Sequence, residues 1–100
     1  MLNDMTNFDA RTIPWREPWH PIPPDLAAMF EAELRSEICN GHVLFGRSFA
    51  AIGRRRDRDD FLFYLGDKSP RFAAVHLTFQ SERRQEWPKT LLSDSLESLM

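Results

Sequence analysis

Five prolines between positions 14 and 24 rule out a helix in the first quarter of the chain. Proline lacks the amide donor that a helix interior needs, and it pushes the preceding residue toward extended geometry. Pro14, Pro18, Pro21, Pro23 and Pro24 therefore predict an extended, Pro/Trp-rich N-terminal arm over residues 1–24. The arm is more than a linker, because Trp15, Trp19 and Ile22 are interleaved with the prolines. Large aromatics are poorly placed in water, so the favoured reading docks the arm on the domain with its Trp rings packed down. The competing reading holds Trp15 and Trp19 out as partner-binding residues.

Beyond the arm, residues 25–100 predict one α+β domain. Pro24 suits the first position of a helix, and Asp25 places negative charge where the helix dipole favours it. Leu26, Met29, Phe30, Leu34 and Ile38 then recur at helical spacing, while Glu31, Arg35 and Glu37 fall away from that stripe. Asn40 and Gly41 supply a left-handed stop. The helix is expected over 25–39.

The hydrophobic period then changes. Residues 48–56 read as a strand in which Gly53 marks a bulge or the close approach of another element. Phe61-Leu62-Phe63-Tyr64-Leu65 is an unbroken apolar run that suits a central strand covered on both faces. Residues 72–78 give a third strand, and the short connections predict a three-stranded antiparallel meander. Residues 80–89 read as a polar loop, flexible at 81–85. Asp94-Ser95-Leu96-Glu97 has the spacing of a capping box, with Asp in the Ser/Thr position, and predicts a short C-terminal helix.

Composition sets the functional limits. At 42% hydrophobic and 12% aromatic, the 100-residue chain is rich enough in core formers to fold. No apolar run approaches the ~20 residues needed to span a bilayer, and residues 1–10 are too polar for a secretory signal. A cytoplasmic location without membrane contact is the resulting expectation. Cys39 is the sole cysteine, which excludes an intrachain disulfide or a cysteine metal cluster and suits a small buried hydrophobe. The net charge of −2 conceals an acidic first 40 residues and a basic middle, −4 against +4 over 41–89.

No motif for phosphate, nucleotide or zinc binding is present, and no nucleophile elbow. No cofactor or metal is expected. A site assembled in space has three weak catalytic candidates, His42, His76 and Asp59, with Asp57 and Asp60 as alternative acids. Histidine titrates near neutrality and binds metals. Strand alternation, however, puts His76 beside Phe72 and Ala74, and His42 follows a helix end where the dipole alone favours an imidazole. His20 in the arm looks incidental.

The other constellation is Arg54-Arg55-Arg56-Asp57-Arg58. Arginine forks bind phosphate bidentately, so Arg54, Arg55 and Arg58 are candidate partner-binding residues, with Arg71, Arg83 and Arg84 as an extension. Against this, Asp57, Asp59 and Asp60 cancel much of the field, and alternation separates Arg55 from Arg54 and Arg56. Charges of alternating sign at a hairpin turn are also a common guard against edge aggregation.

Gly41-His42-x-Leu44-x-Gly46, Ala51-x-x-Arg54-Arg55-x-Asp57-x-Asp59-Asp60-x-Leu62-Phe63 and Val75-His76-Leu77-Thr78 resemble a family of small bacterial proteins of about 100 residues. Trp87-Pro88 and Ser95-Leu96-Glu97 are similar to that family's ending, whereas Phe79 stands where a Trp is usual. The resemblance spans about residues 25–100 and omits the arm. The family has no assigned activity, so the resemblance implies a free-standing small protein and transfers no catalytic residue.

The leading expectation is a non-enzymatic protein-interaction module, of the size and charge of immunity- or antitoxin-like binders, with a protein partner or self-association. The alternative is an anion or nucleic-acid binder through the basic middle. A small enzyme or metal site around His42, His76 and Asp59 ranks third.

Overall fold

The chain is described by a computed structural model covering residues 12–66, 68–80 and 86–100. Its elements are β1 (Trp19–Pro21), α1 (Pro24–Glu37), β2 (Ala50–Arg55), β3 (Asp60–Tyr64), β4 (Phe72–His76) and β5 (Thr90–Ser93). The strands form one sheet in the order β1-β2-β3-β4-β5, and every neighbouring pair is antiparallel. This is an α+β fold with five strands among the described residues, not the three expected.

The two missed strands are the edges. β1 is three residues of the arm, with Trp19 opposite Arg55 and Pro21 opposite Gly53. A proline is tolerated there because an edge strand needs ladder bonds on one side only. Pairing continues past the strand, through Ile22 N–H to Ile52 O and Arg56 N–H to Pro18 O. β5 is four residues with no clear alternation, paired along β4 from Phe72↔Ser93 to Val75↔Thr90.

Alternation along the central strands makes two apolar layers. Phe61, Phe63, Ala73 and Val75 face α1 and pack with Phe30 and Leu34. Leu62, Tyr64 and Phe72 face the other way, with Trp19 and Ile52. Each fully buried Phe or Leu here contributes about 1.5–3 kcal/mol, which explains why β3 carries an unbroken apolar run. The second layer is roofed by Ile13 and Trp15 of the arm and by Leu96, Leu99 and Met100. Trp19 is buried and Trp15 half-buried, so residues 12–24 of the arm lie docked along the domain, and residues 1–11 lie outside the described residues.

The β2–β3 register shifts between Ala51 and Gly53, which puts Ile52 and Gly53 toward the same layer. Both readings of Gly53 hold. It sits at a bulge, and the Trp15 ring lies where a side chain would go.

The helix departs from expectation in its end and in its face. It stops at Glu37, and Ile38 is already extended at φ −86° and ψ 136°. Leu26 and Met29 are exposed, at 40% and 56%, while Glu37 is completely buried. The inward stripe is Ala27, Phe30, Glu31, Leu34 and Glu37. It is rotated because two glutamates find backbone donors in the sheet. Ala51 N–H donates to Glu31 Oε2 at 2.9 Å, which satisfies the amide beside the bulge. Thr78 N–H and Oγ1–H donate to Glu37 Oε1 at 2.8 and 2.9 Å, and Phe79 N–H to its Oε2 at 2.6 Å.

The expected C-terminal helix is a single turn, closed by Leu99 and Met100 N–H bonds to Leu96 O. Asp94 does not cap it. Its carboxylate accepts from Ser69 Oγ and Arg71 N–H at the β3–β4 connection, and the turn's serines bond one another instead. Of the expected polar loop, residues 81–85 lie outside the described residues. No helix among the described residues is long and apolar enough to cross a membrane.

Candidate functional site

The structure sets His42 and His76 against the same segment, residues 88–90, but in different clefts. His42 is buried in the loop after α1, where Leu44 N–H donates to its Nδ1 at 3.0 Å. The ring proton therefore sits on Nε2, which donates to Pro88 O at 2.9 Å. With both nitrogens spent on backbone, His42 is a strut tying the helix-end loop to the segment that leads into β5.

His76 is at the C-terminal end of β4, directly across from Asp60 of β3. Its Nδ1 lies 2.7 Å from Asp60 Oδ1, and Arg58 Nη2 lies 3.0 Å from Asp60 Oδ2. The acid that finds a histidine is thus Asp60. Asp59 is exposed, and its backbone carbonyl accepts from Leu77 N–H. No group of three or more metal-ligating side chains occurs among the described residues.

The arginines disperse as alternation requires. Arg54 stacks on the helix side, its guanidinium 5.1 Å from the Phe30 ring centre and 5.2 Å from that of Phe61. Arg55 lies over Trp19 and makes a bidentate pair with Asp57 at 2.9 Å. This pairing raises the guanidinium pKa and holds the Asp57 carboxyl below the usual range. Arg56 reaches Glu17 of the arm at 3.2 Å. Arg71 lies over Phe72, while Arg83 and Arg84 fall outside the described residues. A continuous phosphate-binding face does not result from residues 54–58.

One cavity that the sequence did not single out is a groove of about 630 Å³ between the arm and the C-terminal turn. Ile13, Pro14, Trp15, Phe72, Leu96 and Met100 line it, with Arg16 and Glu97 as charged rim groups. Trp15 is the one expected partner-binding residue in this groove, since Trp19 is sealed in the core. Its only advance signal is the aromatic–proline spacing of the arm.

A second feature was invisible in the sequence. Glu33 sits one turn before Glu37, and a hydrogen bond to Glu37, burial and the neighbouring charge raise its pKa from 4.5 to about 7. A carboxyl with a raised folded pKa adds stability that is fully present below the unfolded value and lost as pH rises through the folded one. Stability is therefore expected to fall between about pH 4.5 and 7, by on the order of 1 kcal/mol after solvent screening of the partly exposed Glu33. Urea melts across this range should show the slope flattened in Glu33→Gln. An unchanged slope in that variant would assign it elsewhere.

Comparison with protein-family models, curated proteins and solved structures finds no match to this chain.

Proposed function

We propose that this chain is a non-enzymatic protein-interaction module that takes the apolar side chains of an extended partner segment into the arm groove. The carrying observation is the groove itself. Its volume of about 630 Å³ falls within the range of roughly 300–1,000 Å³ typical of binding clefts, and apolar side chains dominate its lining. Arg16 and Glu97 at the rim give a partner one charge of each sign to meet, which orients a bound segment without adding net attraction. The placement of His42 and His76 in different clefts, and the engagement of both His42 nitrogens, support the non-enzymatic reading over the one built on those residues.

The test is a random-peptide display selection against the full chain, followed by NMR titration of the enriched peptides. Apolar peptides should shift the Trp15 indole and Met100 methyl signals together, and Met100→Asp should weaken them at least tenfold. Leu96→Asp serves as a second variant at a different wall of the groove. Saturable peptides that leave the groove signals unmoved, or that shift Leu26 and Met29 instead, would overturn the assignment.

A further inference from the structure

The outer face of β4 carries Phe72 at the groove end and His76 at the other, about 13 Å away along the strand. At the His76 end lies a separate cleft of about 220 Å³, lined by Arg58, Asp60, Ala74, His76, Lys89 and Leu91 among others. Asp60 is the organising group. Its side chain is only 14% exposed, and one oxygen engages His76 while the other engages Arg58. The carboxylate thus clamps two basic groups side by side at the surface and spends its own charge on them. Outward, the cleft presents what Asp60 does not use. These are the remaining Arg58 donors, His76 Nε2, which has no hydrogen bond among the described residues, and beside them Lys89, whose ammonium lies 5.0 Å from the Trp87 ring centre.

We infer that this cleft binds a small phosphate monoester, with the phosphate on Arg58, His76 and Lys89 and the organic part against Leu91 and Ala74. One carboxylate faces two permanent cations, so the cleft is net positive even with the imidazole neutral. Arginine and lysine supply charge-assisted donors to phosphate oxygens. Asp60 holds the imidazole by Nδ1, so Nε2 accepts from a protonated phosphate oxygen or, when the ring is charged, donates to an unprotonated one. Leu91 is 69% exposed on the edge strand, opposite Ala74 in the sheet register. That apolar shelf beside an anion cradle selects an ester over a bare inorganic ion. The site is independent of the arm groove.

The experiment is an NMR titration of the full chain with phenyl phosphate, run beside inorganic phosphate, phenol and a single-stranded oligonucleotide. Phenyl phosphate should saturate, moving the His76 ring and Leu91 methyl signals with one binding constant. It should bind at least fivefold tighter than inorganic phosphate, and phenol should not register. Arg58→Gln and, separately, Lys89→Gln should each weaken it about tenfold. Lys89 stands outside the Asp60 pairings, so its variant keeps the test valid if Arg58→Gln disturbs the turn. Non-saturating shifts, equal affinity for chloride, or an unmoved Leu91 would overturn the proposal. Tighter binding of the oligonucleotide, with steep salt dependence, would overturn it in favour of nucleic acid.

Discussion

Replacing Glu37 with leucine is expected to destabilise the protein by about 3 kcal/mol, although leucine is the residue that a helix facing a core ordinarily prefers. The Glu37 carboxylate is fully buried and accepts three hydrogen bonds from Thr78 and Phe79. Leucine would leave the Thr78 and Phe79 amides without a partner, at about 1–3 kcal/mol for each that water does not reach, while Thr78 Oγ1 keeps Gln80 O at 3.2 Å. The backbone it holds is also unusual. Phe79 has φ 58°, a left-handed conformation that costs a residue with a Cβ roughly 1–2 kcal/mol. Its ring nevertheless packs edge-on to Phe61, with centroids 6.3 Å apart. The carboxylate thus steers the chain as it leaves β4. Relief of the charge beside Glu33 offsets part of the loss, which is why the figure is not larger. Urea denaturation should show the drop, and the Phe79 amide should exchange with solvent faster. Glu37→Gln keeps one acceptor oxygen and should lose about half as much. A leucine variant within about 0.5 kcal/mol of the parent would remove Glu37 from this role.

What the sequence made legible follows from signal strength. Pro24 and Asp25 mark the helix start to within a residue, because both have strong positional chemistry at an N-terminus. The run from Phe61 to Tyr64 identifies a strand buried on both faces, since only a central strand has two layers to fill. The edges were not legible. β1 hides in a proline-rich segment that reads as non-strand, and β5 is too short for alternation to show. The helix face was misread for a different reason. Periodicity counts apolar residues, whereas this helix buries Glu37 and half-buries Glu31 because the sheet offers them amide donors that lie far off in sequence. The same limit separated His76 from its true partner. Nothing in the spacing chooses Asp60 over Asp59, and only the β3–β4 register does so. The groove was beyond reach altogether, since its two walls are more than 75 residues apart in the chain.

Gly53 joins the arm to that groove, and its replacement gives the second large effect. An added Cβ would overlap Cη2 and Cζ3 of the Trp15 ring. Positive φ occurs at Gly41, Gly46 and Gly66 but not at Gly53, so the penalty at this position is steric rather than conformational. An indole is rigid and its far edge rests on the bulge, so to make room the whole ring has to tilt away toward the groove. Gly53→Ala is expected to cost about 2–3 kcal/mol, at the upper end for overpacking, because the displaced ring also gives up its buried contact with the second layer. Trp15→Leu removes the obstructing carbons and should cost about 1–2 kcal/mol alone. In the double variant the alanine finds room, so its added cost should fall to a few tenths of a kcal/mol, a coupling of about 2 kcal/mol. Additive losses would mean that Trp15 does not rest on Gly53. Coupling would show that a glycine on β2 sets how closely the arm lies on the sheet. Gly53→Ala should then also weaken any peptide held in the groove, because one of the groove's walls is the ring it pushes aside.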